Sequence, residues 1–152
     1  MLDVACGAGR HCRLLRAAGH TVLAIDRDLG GVEDLRCDPG TELLQRDLED
    51  GGPPPWQPGS FSAVVVTNYL HRPLLPALVA AVASGGLLIY ETFAEGNARF
   101  GRPSNPAFLL RPGELLAAVL GELRVLAYED LVIDEPRPAA IQRIAARRGE
   151  AA

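Results

Sequence analysis

Apolar runs of roughly five or six residues alternate along this chain with stretches in which apolar side chains recur every three to four positions. Strand-length runs alternating with helical periods are the signature of strand–helix–strand units and a parallel sheet. The first run, Leu2–Ala5, carries one acid at Asp3 and meets Gly7-Ala8-Gly9. The period then predicts a helix from Gly9 to Ala18, stopped by Gly19. "TVLAID" reads as the second strand, 29–36 as a weak helix, "TELLQRD" as the third strand and "GGPPPWQPG" as a surface loop. "FSAVVVTN" has the β-branched run of a strand buried on both faces. A helix over 73–83 and the strand "GLLIYE" (86–91) complete the next unit.

Residues 92–111 show few periodic features, and a loop of that length in a compact domain is usually functional or mobile. A helix over Pro112–Leu120 follows. The last strands, at 123–129 and 139–146, lie too close together for a crossover helix, so they should pair antiparallel. The pattern predicts one doubly wound α/β domain ending in a β-hairpin.

At 152 residues the chain is long enough for one domain with a sizeable core and too short for two. A net charge of −4 gives no electrostatic footprint for nucleic acid or an anionic membrane. All 15 basic residues are Arg, which removes lysine chemistry, including a P-loop lysine. Cys6, Cys12 and Cys37 lack CxxC spacing and read as reduced thiols of a cytoplasmic protein. The N-terminus has no signal-peptide character. The uncharged stretch 73–90 approaches membrane-spanning length, but Pro73, Pro76 and Ser84-Gly85-Gly86 divide it into a buried helix and strand.

Gly7 and Gly9 allow a sharp turn and close ligand approach, and Asp26 closes the second strand, where a carboxylate can take both ribose hydroxyls. Two nucleotide-like cofactors compete for this arrangement. A dinucleotide fingerprint wants a third glycine where Cys12 stands, and Asp3 would repel a pyrophosphate.

The alternative fits better. "LDVACGAG" resembles motif I of the class I S-adenosylmethionine-dependent methyltransferases. "AIDRD" resembles that family's ribose-binding acid motif, "LLQRDLED" its adenine-side acid, "FSAVVVTNYLHRPL" its fourth strand and "GGLLIYETF" its fifth. The resemblance covers essentially 1–152, and more loosely touches the tellurite-resistance type of small-molecule methyltransferase. It implies a mostly parallel seven-strand sheet, three-layered, with an antiparallel last strand. It also implies S-adenosylmethionine as cofactor, with Asp3 facing the amino group, Gly7 and Gly9 lining the methionyl moiety, and Asp26 holding the ribose. Asp47 and Leu48 would meet the adenine edge, and Asn68 would lie near the methionyl group. Ala5 stands where the family's first glycine is commonest. Each acid also has a plainer reading: Asp3 satisfying loop amides, Asp47 opening a turn with Glu49 and Asp50.

Ligands of open α/β sheets bind outside the carboxyl ends of the strands, which puts 68–73, 91–93 and the long loop around the methyl acceptor. Tyr69, His71 and Glu91 are the candidates there for a general base; the plainer readings are a pocket wall for Tyr69 and a surface residue for His71. Arg99, Arg102 and Arg111 either clamp an anionic substrate or are solvated loop charges. No "NPPY"-like motif follows the fourth strand, which speaks against DNA amino-methylation. Family members usually carry a lid helix before the first strand, and here the strand starts at Met1; an uncovered lid-docking surface predicts self-association as a homodimer. The expectation is a methyltransferase acting on a small molecule. A cofactor-binding module without catalysis, and a weaker nicotinamide oxidoreductase reading, stay open beside it.

Overall fold

A computed structural model describes residues 1–150. Seven strands form one sheet in the order β3-β2-β1-β4-β5-β7-β6. They are β1 (Leu2–Val4), β2 (Val22–Asp26), β3 (Thr41–Gln45), β4 (Phe61–Thr67), β5 (Val82–Phe93), β6 (Arg124–Ile133) and β7 (Ala139–Arg147). The first five run parallel; β7 lies antiparallel between β5 and β6. The fold is doubly wound, mostly parallel and three-layered, with helix α1 (Arg10–Ala17) on one face and α2 (Leu75–Ala81) and α3 (Glu114–Val119) on the other.

Strand alternation sorts the two cores. Leu2, Val4, Ile25, Val64, Val66, Leu88 and Tyr90 meet Leu78 and Val79 of α2 and Leu115 and Val119 of α3. On the opposite face Val22 and Ala24 meet Cys12 of α1 with Val32 and Leu35 of a 3₁₀ segment, Gly30–Cys37. That second layer stops short. Among the described residues no α-helix covers the same face of β5, β7 and β6 beyond β4, and Ile89, midway along β5, stays 44% exposed with Leu131 of β6 at 36%.

Three boundaries differ from the sequence pattern. The helix expected over 73–83 is a 3₁₀ turn, Arg72–Leu74, followed by α2, and β5 begins directly at Val82 rather than at 86. Val82 pairs with Phe61, and Ser84-Gly85-Gly86 form a bulge before the register resumes at Ala63 and Leu87. Helix α3 starts after Pro112, and the Glu114 carboxylate accepts the Arg111 amide at 2.8 Å. Finally, β6 runs on through Leu131-Val132-Ile133, whose β-branched pair faces Ala140 and Ala139, so the connection shrinks to residues 134–138. Among the described residues no helix is long and apolar enough to cross a membrane; the stretch 73–90 becomes the end of the 3₁₀ turn, α2 and most of β5.

The long loop after β5 is ordered by two side chains. Buried Asn97 donates from Nδ2 to the Pro103 carbonyl (2.9 Å) and accepts the Ala140 amide at Oδ1 (3.1 Å), stitching the loop to β7. Arg72 forks onto Glu114 and donates to the Ala107 and Leu109 carbonyls, each at 2.8 Å.

Tyr90, 1% exposed, donates its hydroxyl to the Tyr69 carbonyl at 2.8 Å, fixing the chain as it leaves β4. Tyr90→Phe is expected to lower the unfolding free energy by about 1–2 kcal/mol in a urea titration, because that carbonyl loses its partner. An unchanged midpoint would mean water replaces the hydroxyl.

Candidate functional site

Order in the sheet reverses between β1 and β4, since the chain moves outward from β1 to β3 and then crosses back. Open α/β sheets bind ligands at such a switch point. A cavity of about 520 Å³ opens there, lined at the strand ends by Ala5, Asp26, Arg27, Arg46, Asp47, Leu48, Glu49, Asn68, Tyr69, Leu70, Thr92 and Phe93, with Pro103 and Phe108 from the long loop.

Its floor is two turns tied together. The Asp26 carboxylate accepts the Gly7 amide at 2.8 Å and the Asp28 amide at 3.0 Å, joining the turn after β1 to the turn after β2. At Gly7 φ is +52° and a Cβ would point into open space; at Gly31 a Cβ would stand 2.9 Å from the Ala8 Cα. The two turns therefore touch backbone to backbone, which only a glycine permits at position 31. Ala5 also holds a left-handed φ of 53°, the conformation in which glycine costs least. Asn68 (φ 54°) is the matching bend after β4, and its amide donates to the Glu91 carbonyl at 2.9 Å.

Of the residues singled out by sequence, Ala5, Asp26, Asp47, Leu48, Asn68 and Tyr69 come together on the cavity wall. Asp47 also does what its plainer reading asks, accepting the Glu49 amide at 2.9 Å. Gly7 and Gly9 shape the turn and are not part of the lining; Gly9 caps α1 in a left-handed conformation. His71 lies off the lining, its Nδ1 3.9 Å from Glu49, which is on it. Glu91 projects to the α1 face of β5 and pairs with Arg143 at 3.5 Å. Arg99 lies over the Phe100 ring at 4.6 Å, and none of Arg99, Arg102 and Arg111 lines the cavity.

Sequence reasoning missed Arg46, Glu49, Phe93, Pro103 and Phe108 as individual wall residues. The strand-end rule points to Phe93; nothing local marks Phe108. It also missed His11 of α1, whose Nδ1 lies 3.3 Å from Thr67 Oγ1. Burial, then neighbouring Arg10, lowers its pKa and keeps the ring neutral.

Asp3 and Cys6 are not part of the cavity lining; they lie in and just before the turn after β1, and their electrostatics are unusual. Asp3 is 1% exposed, and its Oδ2 has no hydrogen-bond partner. Burial raises its pKa from 3.8 to about 6, against the pull of the Cys12 amide and Arg10. Beside it, burial and then Asp3 and Asp26 push the Cys6 thiol up to about 12, so it stays protonated. The Tyr69 hydroxyl is buried without a hydrogen-bond partner, and burial followed by the charge of Glu49 raises its pKa too.

Residues 2–84 match the family described as methyltransferase domain. No curated protein matches the chain. Among solved structures, a S-adenosylmethionine dependent methyltransferase from Mesorhizobium loti is 20% identical with a TM-score of 0.72, over 97% of this chain and 89% of that one. The [4+2]-cyclase SpnF aligns at a TM-score of 0.75 and 14% identity, over 99% and 74%. The 1,6-didemethyltoxoflavin-N1-methyltransferase of Burkholderia thailandensis aligns at 0.68 and 17%, over 98% and 70%. At these identities the structural likenesses speak for the fold.

The Asp3 shift sets a pH dependence. Between its unfolded value of 3.8 and its folded value of about 6, the native carboxyl keeps a proton that the unfolded chain has lost. Stability is therefore full below the window and falls as pH rises through it, by about 3 kcal/mol at most. Asp3→Asn should flatten this slope in urea midpoints measured at pH 4 and pH 7. Parallel slopes for variant and parent would assign the loss to another group.

Proposed function

The chain belongs to the methyltransferase domain family, and from that premise we propose that it is an S-adenosylmethionine-dependent methyltransferase whose acceptor is a small molecule. S-adenosylmethionine supplies a methyl group on a sulfonium, which leaves with the electron pair of its carbon–sulfur bond as the thioether S-adenosylhomocysteine.

The observation that carries this reading is the orphan carboxylate oxygen of Asp3, buried among Cys6, Arg10, Cys12 and Asp26. Such an atom is costly unless a cation offsets it, and the α-amino group of the cofactor is one. The remaining groups suit the same ligand. Gly7 leaves open space above the turn, and Asp26, after its two amide bonds, keeps lone pairs for ribose hydroxyls. Leu48 offers an apolar edge for adenine, with Asp47 beside it.

For the transfer itself, this chain's contribution is position. Tyr69 stays protonated and acts as a wall, its hydroxyl buried, while His71 and Glu91 stand away from the lining. Holding a nucleophile in line with the sulfonium carbon is worth several orders of magnitude without proton transfer. The cavity volume and the net charge of −4 favour a small acceptor over nucleic acid. The free thiols Cys6, Cys12 and Cys37 agree with a cytoplasmic setting.

A second reading concerns association. Ile89 of β5 and Leu131 of β6 are exposed on the uncovered face, on either side of the row in which Arg143 pairs with Glu91 and Glu129, and self-association as a homodimer would bury both. Sedimentation velocity should then show a dimer that Ile89→Lys converts to monomer; a monomeric parent would end the idea.

The function is tested by calorimetric titration with S-adenosylhomocysteine, with NAD as control. Saturable binding of the first alone is expected, and Asp26→Ala should weaken it by about tenfold or more. Asp3→Asn should weaken it too, despite a more stable fold. Affinity unchanged in Asp26→Ala would remove the ribose assignment, and preference for NAD would replace the function with the oxidoreductase one.

A further inference from the structure

The cavity divides along the sheet. Its charged residues, Asp26, Arg27, Arg46, Asp47 and Glu49, all follow β2 and β3. The part that follows β4 and β5 has no charged side chain: Tyr69, Leu70, Phe93, Pro103 and Phe108 are apolar or aromatic, and Asn68 and Thr92 supply two neutral polar groups. Cations near the loop are engaged or elsewhere. Arg72 forks onto Glu114 at 2.6 Å, and Arg99 lies on Phe100. No cation there receives a carboxylate or phosphate.

Phe108 is the distinctive part of this wall. Its side chain is 48% exposed, yet its backbone is fixed on every side. The carbonyls flanking it, of Ala107 and Leu109, are both held by Arg72. The Ala107 amide donates to Asn105 Oδ1 at 3.0 Å, the Phe108 amide donates to the Asn105 carbonyl at 2.9 Å, and Leu109 and Leu110 are buried just after. A large ring presented to a cavity on an immobilised turn is a preformed face for stacking, since little order remains to be imposed when a ligand arrives.

We propose that the β4–β5 half of the cavity selects a neutral, flat aromatic acceptor bearing one small polar group, with Phe108 as its specificity-determining wall. The proposal rests on the methyltransferase reading of this cavity, and it excludes the anionic acceptor that a clamp of Arg99, Arg102 and Arg111 would serve. The ring lies against Phe108 and Phe93, and the polar group meets Asn68 or Thr92 near the charged half, where the methyl donor sits. Cofactor and acceptor share about 520 Å³, which limits the acceptor to one or two fused rings.

The test uses the ring-matched pair 2-naphthol and 2-naphthoate, titrated by calorimetry with and without saturating S-adenosylhomocysteine. The parent is expected to bind naphthol at least about tenfold more tightly than naphthoate. Phe108→Ala should cost about tenfold in naphthol affinity while S-adenosylhomocysteine affinity and melting temperature stay put. Phe108→Arg places a cation on the same anchored turn and should turn the preference toward naphthoate. Equal binding of the two probes by the parent, naphthol affinity unmoved in Phe108→Ala, or an unaltered preference in Phe108→Arg would each overturn the proposal. S-adenosylhomocysteine that fails to bind beside a normal naphthol profile would overturn the methyltransferase reading instead, leaving the aromatic wall as the finding.

Discussion

One carboxylate decides whether this molecule has a site at all. Asp26 ends β2 and accepts amides from two separate turns, and those bonds hold the loop after β1 against the loop after β2. Two backbones brought this close need a glycine between them, which Gly31 supplies against Ala8. Everything downstream uses the resulting platform. Helix α1 starts from it, the cavity opens above it, and the opposite rim is set by the bend at Asn68.

Beneath that platform lies an acid with one oxygen, Asp3 Oδ2, that has no hydrogen-bond partner. Asp3 is held on a strand whose neighbours β2 and β4 bury it from either side, and Arg10 only partly offsets the burial. Strain of this kind is costly to a small fold and is usually retained where a ligand relieves it. Cys6 and Tyr69 are held protonated by the same combination of burial and neighbouring acids, so the site presents neutral groups and a few fixed charges.

The strand–turn–helix beginning was legible because its signals are local: alternation in Leu2–Val4, glycines at 7 and 9, and an acid at the end of the next apolar run. The cavity residues Ala5, Asp26, Asp47 and Leu48 share that legibility, being fixed by position relative to strand ends. The side of the cavity formed by the long loop was not legible in the same way. Phe108 reaches the cavity because Arg72, 36 residues earlier, holds the carbonyls beside it, and Asn97 orders the loop through an amide of β7 43 residues later. No periodicity encodes such contacts. The early start of β5 was hidden for another reason: Val82 and Ala83 continue a helical pattern, and only pairing with Phe61 across the bulge makes them a strand.

The anchoring of the long loop separates two jobs that many binding loops combine. Hydrogen bonds from Arg72, Asn97 and Asn105 fix its path through backbone atoms, whereas the ring of Phe108 contributes none of them. A change at position 108 therefore alters what the cavity touches without altering where the chain goes. Descendants of this sequence can reshape the cavity wall one residue at a time, since the path of the loop and the surface it presents are written in different atoms.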